Sequence, residues 1–149
     1  MDEKGFYKFP KEERLHHRSL LEGLFRHGKS FYEFPFRVTW RIISEEEFKK
    51  NFRNNPPEDI GRVQLMISVP KKKRKRAVDR VQMRRRIREA YRLNRLPLKD
   101  YVIANEGIKT LSIGIVYIYD KNLPYISIED KMKTLLSKLQ AKIHTKENC

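Results

Sequence analysis

Apolar residues along this chain recur at two periods, one helical and one alternating, and each change of period marks an element boundary. Leu20, Leu21, Leu24 and Phe25 share one face at helical spacing, which predicts a helix over Glu12 to His27 with Gly28 as its stop. Phe34 to Ile43, FPFRVTWRII, is rich in aromatic and β-branched residues and predicts a strand. Within it Phe36, Val38 and Trp40 alternate with Arg37, Thr39 and Arg41, so one face is apolar and the other partly basic. Ser44 to Gly61 is polar and contains the breaker Asn54-Asn55-Pro56-Pro57. It predicts a loop insertion, with room for a helical turn around Glu46 to Phe52. Arg62 to Val69, RVQLMISV, predicts a second strand.

Pro70 to Arg76 is irregular, and a helix follows from about Asp79, with Met83, Ile87, Ala90 and Tyr91 on the face turned towards the sheet. Leu96-Pro97 ends it. Thr110 to Tyr119, TLSIGIVYIY, is apolar on both faces and predicts a central strand. Ser127 and Asp130 form an N-cap pair for a last helix, whose stripe of Ile128, Met132, Leu135, Leu136, Leu139 and Ile143 is core. The order is helix, strand, strand, helix, strand, helix, with space for a further short strand. Three helices of this length cannot cover both faces of such a sheet, so a partly open face, or a groove beside the first helix, is expected.

A length of 149 residues with 39% hydrophobic and 11% aromatic content suits one folded domain over 1–149, with 44–61 as a polar insertion and 144–149 as a tail. The sole cysteine, Cys149, leaves neither a disulfide framework nor a cysteine-based zinc site within one chain. No apolar run reaches the roughly 20 residues that span a bilayer, and no secretory apolar region opens the chain, so a soluble cytoplasmic protein is expected.

Charge changes this picture from a generic domain to one with a partner. Lys71 to Arg95 holds thirteen of the 34 Lys and Arg residues against two acids, Asp79 and Glu89, and so carries +11 of the formal +15. Like charge gathered this densely opposes folding, which points to a polyanion that neutralises it, with nucleic acid the leading candidate. On a helix Arg84, Arg85, Arg88, Arg92 and Arg95 fall within an arc of about 100° on the outward side, with Glu89 pointing elsewhere. Solubility or a nuclear import tag does not require such sorting by face, and the planar guanidinium fork suits phosphate.

Catalytic candidates are weak by comparison. His16 and His17 are adjacent and on a helix would diverge, while His27 and His144 lack spacing partners. Glu45-Glu46-Glu47 and Glu58-Asp59 read as solvated loop charge, and no phosphate-binding glycine motif occurs. Aromatic residues carry more promise. Phe25 and Phe36 either pack in the core or meet across a groove where single-stranded nucleic acid can stack, and Trp40 is assigned to the core.

The chain resembles the protein subunit of bacterial ribonuclease P. The likeness rests on Phe9-Pro10-Lys11-Glu12-Glu13-Arg14-Leu15; on Leu21, Leu24, Phe25 and Gly28; on Arg62-Val63 and Ser68-Val69-Pro70-Lys71-Lys72; and on Ala77-Val78-Asp79-Arg80, Arg84-Arg85 and Arg88-Glu89-Ala90-Tyr91-Arg92. Two positions depart from the pattern: Val81 stands where the family usually has Asn, and the turn from Lys71 to Arg76 lacks the frequent Gly.

The resemblance implies an α+β fold with a four-stranded mixed sheet and three helices, like a domain of a ribosomal small-subunit protein, with a left-handed β-α-β crossover. It implies a role in endonucleolytic 5′ maturation of transfer RNA, with catalysis by the RNA subunit using Mg²⁺ and with no protein catalytic residue or protein-bound cofactor. Lys71, Lys72, Arg76, Arg80, Arg84, Arg85, Arg88 and Arg92 would bind that ribonuclease P RNA, while Leu21, Phe25, Phe36 and Val38 would line a groove for the 5′ leader of precursor tRNA. The protein itself is expected to be monomeric and away from membranes. The alternatives are a free-standing RNA-binding or ribosome-associated protein on the same fold and, more remotely, a protein-only nuclease.

Overall fold

The central strand of the structure is hydrogen-bonded along both edges and buried on both faces, and every other element is placed relative to it. The computed structural model describes residues 9–52 and 60–147, with side chains to residue 145. Its strands are β1 (Lys29–Glu33), β2 (Phe36–Ile43), β3 (Val63–Ser68) and β4 (Thr110–Tyr117), in the sheet order β1-β2-β4-β3. The β1–β2 and β2–β4 pairs are antiparallel and β3–β4 is parallel, so the sheet is mixed. A row of partners crosses all four strands as Tyr32, Arg37, Val116 and Ser68.

Among the described residues five α-helices surround the sheet: α1 (Arg18–His27), α2 (Glu45–Asn51), α3 (Ala77–Asn94), α4 (Leu96–Ala104) and α5 (Tyr125–Glu147). Alternation along the strands gives the sheet two different faces. Phe36, Val38 and Trp40 of β2, Leu111, Ile113, Ile115 and Tyr117 of β4, and Val63 and Leu65 of β3 enter the larger core. That core is closed by Met83, Ile87 and Tyr91 of α3, Leu98 and Val102 of α4, and Ile128, Met132, Leu135, Leu139 and Ile143 of α5. The opposite face holds a smaller cluster built on Leu20 and Leu24 of α1, with Leu15, Ile43 and Phe48.

Three helices were expected, and the excess over that number has local causes. The predicted helix over Glu12 to His27 is broken, because Lys11–Glu13 forms a 3₁₀ turn and Arg14 then runs beside β3. There the Leu15 N–H donates to the Leu65 carbonyl at 2.9 Å, and the Gly61 N–H donates to the Glu12 carbonyl at 2.8 Å, which takes this backbone out of any helix. In the insertion the Ser44 hydroxyl accepts from the Glu47 N–H and starts α2, slightly ahead of the turn read from Glu46. Pro97 was read as the end of the basic helix, yet it also begins α4, since a proline in a first turn lacks an N–H that would have no helical acceptor. Helix α5 starts at Tyr125, two residues before the proposed Ser127 cap. The anticipated extra strand is β1, joined to β2 by the turn at Phe34-Pro35, so the strand read from Phe34 begins at Phe36. The 54–57 breaker, Glu58-Asp59 and Cys149 lie outside the described residues.

Two arginines tie distant segments together. Arg62 donates through Nη2 to the carbonyls of Val102, Asn105 and Ile108, at 3.0, 3.0 and 2.7 Å, and so satisfies acceptors around the C-terminus of α4. Arg95, at the end of α3, makes a bidentate pair with Glu13 at 2.9 and 3.2 Å, and the two side chains are only 2% and 3% exposed. Removing one member of a buried pair leaves an uncompensated charge, so Glu13→Ala or Arg95→Ala should lower unfolding free energy by roughly 3–5 kcal/mol. Urea titration of both single variants and of the double variant checks this, and the double is expected to cost less than the sum of the singles.

Candidate nucleic-acid interface

The basic segment does two jobs, and the structure separates them residue by residue. Arg74 donates to the Asn122 side chain at 2.8 Å and to the Asp120 carbonyl, and pairs with Asp79 at 3.0 Å. Arg86 donates to the Leu123 carbonyl at 2.6 Å. Together with Arg95 these side chains pin α3 and the turn before it to the rest of the protein. Arg95, read from the helical wheel as part of the outward row, is turned inward.

The remaining residues form the surface. Lys71, Lys72, Lys73, Lys75 and Arg76 are exposed on the turn, and Arg84, Arg85 and Arg88 are exposed on α3. None of those three α3 arginines has a carboxylate partner among the described residues. Arg80 is half-buried and donates from Nη1 to the carbonyls of Arg74 and Lys75 at 2.9 and 2.7 Å, so it shapes the basic turn. Arg92 is half-buried and hydrogen-bonded to Glu89 through Nε at 3.0 Å. The hydrogen bond from Arg92 holds the Glu89 carboxyl below its ordinary pKa. Glu89 therefore does neutralise one member of the row, contrary to its reading from the sequence.

A cleft of about 490 Å³ lies in the basic turn, walled by Lys72, Lys73, Lys75 and Arg76 with Asp79 and Asp120 among its lining. Val81, where the resemblance led to expect Asn, is 40% exposed on the first half of α3, four residues before Arg85.

Of the four residues proposed to line a groove beside the first helix, two lie on the α1 side of the sheet and two face away from it. Leu21 is half-buried and Phe25 is 53% exposed on α1. Phe36 and Val38 are fully buried in the larger core, on the far side of the sheet, where Phe36 meets Tyr117 edge-on at 6.1 Å. Alternation reveals which residues share a face but not which face a helix will cover. The side of the sheet carrying α1 presents the other parity, and there the row Tyr32, Arg37, Val116, Ser68 lies beyond Phe25 with Tyr32 and Arg37 exposed. Gly114 sets the closeness of α1, since an added Cβ would lie 3.1 Å from Leu24 Cδ2, 3.2 Å from Met66 Sδ and 3.6 Å from Phe25 Cζ. Trp40 is core, as assigned.

His16 and His17 precede α1 on non-helical backbone, and their rings lie 4.4 Å apart, so they do not diverge as a helix would require. His144 contacts the Tyr101 hydroxyl at 3.2 Å. Among the described residues no group of three or more His, Cys, Asp or Glu side chains is placed to hold a metal ion, and no helix is long and apolar enough to cross a membrane. The chemistry on offer is electrostatic contact with phosphates along α3 and stacking of flat groups against Phe25 and Tyr32.

The class defined here is an α+β domain that turns one arginine face and the exposed rings of Phe25 and Tyr32 to solvent, chemistry suited to a polyanion. A family model described as Ribonuclease P matches residues 9–140, and the chain belongs to that family. The ribonuclease P protein component of Porphyromonas gingivalis strain W83 is 33% identical over 106 residues, covering 71% of this chain and 69% of the relative. That of a second strain of the species is 31% identical over 116 residues, covering 78% and 76%. Among solved structures, the Staphylococcus aureus RNase P protein superposes with a TM-score of 0.59 at 21% identity, covering 87% of this chain and 96% of that one. The Thermotoga maritima RNase P protein gives 0.57 at 21% identity, covering 85% and 96%. These two likenesses bear on the fold.

The opposite placements of Phe25 and Phe36 have measurable consequences. Phe36→Ala should cost about 3–5 kcal/mol of stability, as for other large core deletions. Phe25→Ala, at an exposed position, should stay within about 0.5 kcal/mol of the parent in the same urea titration.

Proposed function

We propose that this chain is the non-catalytic protein subunit of the ribonuclease P ribonucleoprotein, assisting 5′ maturation of transfer RNA. In this reading Arg84, Arg85 and Arg88, with Lys71, Lys72 and Arg76, contact phosphates of the catalytic RNA. Arg80 and Arg92 also shape the surface, Arg80 through Nη1 to two carbonyls and Arg92 through its pair with Glu89. The single-stranded 5′ leader of precursor tRNA lies in the groove, against Leu21 and Phe25 and over the Tyr32–Arg37–Val116–Ser68 row.

The observation that carries the reading is the exposed arginine face of α3 in a chain of this family. In this reading hydrolysis and its Mg²⁺ ions belong to the RNA. A monomeric, cytoplasmic protein fits the same reading, and so does a left-handed connection from β3 through α3 and α4 to β4, in a fold like a ribosomal small-subunit domain.

Replacing Arg84, Arg85 and Arg88 together by Ala should flatten the log–log salt dependence of RNA binding by roughly 2–3, at about 0.7–0.9 for each lost phosphate contact. Filter binding across a salt series measures the slope, and an unchanged slope refutes this face. In reconstitution with the cognate RNA, the protein should lower the Mg²⁺ needed for cleavage of a precursor tRNA. Binding without that effect would favour the free-standing RNA-binding alternative, for which Val81 is the motivating departure. Cleavage by protein alone, free of RNA, would favour a protein nuclease.

A further inference from the structure

The groove proposed above follows an uncovered row of the sheet. Its row of residues runs across the strands, at roughly 4.8 Å per strand, and reaches the outer edge of the sheet at Tyr32. Tyr32 is 68% exposed and belongs to two surfaces at once. On one side it is the last member of the groove row. On the other it lines a shallow open cleft of about 400 Å³ together with Phe31, Lys138, Ala141 and Lys142.

That cleft lies where the edge of β1 meets α5. Successive residues of a strand point to opposite faces, so Tyr32 serves the groove face while Phe31 turns towards α5. The Lys142 ammonium sits 5.2 Å from the centre of the Phe31 ring. Lys131, Lys138 and Lys142 lie on one stripe of α5 at helical spacing. Glu33 pairs with Lys138 and, at 3.8 Å, with Lys131, while Lys142 stands over Phe31, so three ammonium groups share this edge with one carboxylate. The local balance is +2, on a surface separate from the arginines of α3. A partly exposed ring beside a surplus of cations, with Lys142 over Phe31 and Lys138 sharing Glu33 with Lys131, is the combination that holds single-stranded nucleic acid without base preference.

We infer that the β1 edge, through Phe31, Tyr32, Lys138 and Lys142, forms a second subsite for single-stranded RNA that takes the upstream nucleotides of a leader already seated in the groove. The inference rests on the groove reading above and extends it. Charge complementarity selects a polyanion as the occupant, and continuity through Tyr32 selects the strand that is already there. The leader crosses the sheet, stacks at Tyr32, turns over the strand edge and lays its phosphates along Lys138 and Lys142.

The test uses the reconstituted ribonucleoprotein and precursor tRNAs whose leaders are lengthened one nucleotide at a time. With the parent protein, affinity should rise as the groove fills and then rise again once the leader passes the sheet edge. Lys138→Ala/Lys142→Ala should abolish the second rise alone. It should weaken long-leader binding by roughly fivefold to tenfold at low salt and reduce the salt slope by about 1.4, at about 0.7 for each single-strand phosphate contact. Short-leader affinity and cleavage rate should be unchanged, and Lys138→Arg/Lys142→Arg should retain the second rise. A thermal melt of each variant verifies that the scaffold is intact. A second rise that survives the double Ala variant overturns the inference, and so does a parent plateau at the length that just spans the row. Either result leaves the groove reading standing. No dependence on leader length in the parent would overturn the groove reading and this subsite with it.

Discussion

Strand β4 is the constraint on which the arrangement of surfaces depends. It is bonded to β2 on one edge and β3 on the other, and its side chains are buried on both faces apart from the half-buried Val116. Burial on both faces requires cover on both, and the cover is unequal. One face takes α3, α4 and α5, whose apolar stripes together close the larger core. The other has α1 and the short α2, which shield only part of it. The row through Tyr32, Arg37, Val116 and Ser68 lies beyond that cover. An uncovered row beside a helix is a groove, so the candidate single-strand site follows from how few helices the second face receives.

The same economy governs charge. A segment with +11 over 25 residues would repel itself if every side chain were left in solvent. Part of the repulsion is offset by spending arginines on the scaffold. Arg74, Arg86 and Arg95 place their guanidinium groups against carbonyls or carboxylates of other segments. Burying Arg95 carries a desolvation cost, and its several donors meet that cost through both Glu13 oxygens and the Arg92 carbonyl. Burial and the nearby Glu13 also raise the pKa of the Tyr91 phenol, keeping it neutral in this setting. With the base of α3 held in this way, Arg84, Arg85 and Arg88 can stand outward as neighbours without unravelling the helix that presents them.

Much of this was legible in the residues, and what was missed had physical reasons. The α+β class and the strands β2, β3 and β4 follow from patterns whose period is strong and whose burial is deep. The inward stripes of α3 and α5 do so as well. Strand β1, KSFYE, has a mixed pattern, and its structure comes from pairing with β2 rather than from propensity. Helix α4 was hidden because proline marks both an end and a beginning. The helical wheel set Arg95 among the outward arginines, and its inward turn was not legible because its partner Glu13 is 82 residues away in the chain. The β2 residues read as groove lining, Phe36 and Val38, lie in the larger core, and the exposed residue on the α1 side is Arg37. Hydrophobicity marks the better-covered face, whereas a binding groove belongs to the less-covered one.

The two candidate surfaces are also joined through the chain. Ser68 is the last groove residue of β3, and Val69-Pro70 leads from it into Lys71 and Lys72. At roughly 3.3 Å per residue, three steps of extended backbone separate the uncovered sheet row from the basic turn by about 10 Å. Pro70 accepts from both Lys73 and Arg74 through its carbonyl, at 3.1 and 3.0 Å, so the connection is a bonded turn. Asp79 then pairs with Arg74, tying the first turn of α3 to that same corner. A partner that set a folded phosphate backbone on α3 and a single strand across the sheet would meet both surfaces in a fixed relation. The spacing is set by a few residues of ordered backbone, and that rigidity is what would let one small protein read the junction between a structured RNA and its unpaired extension.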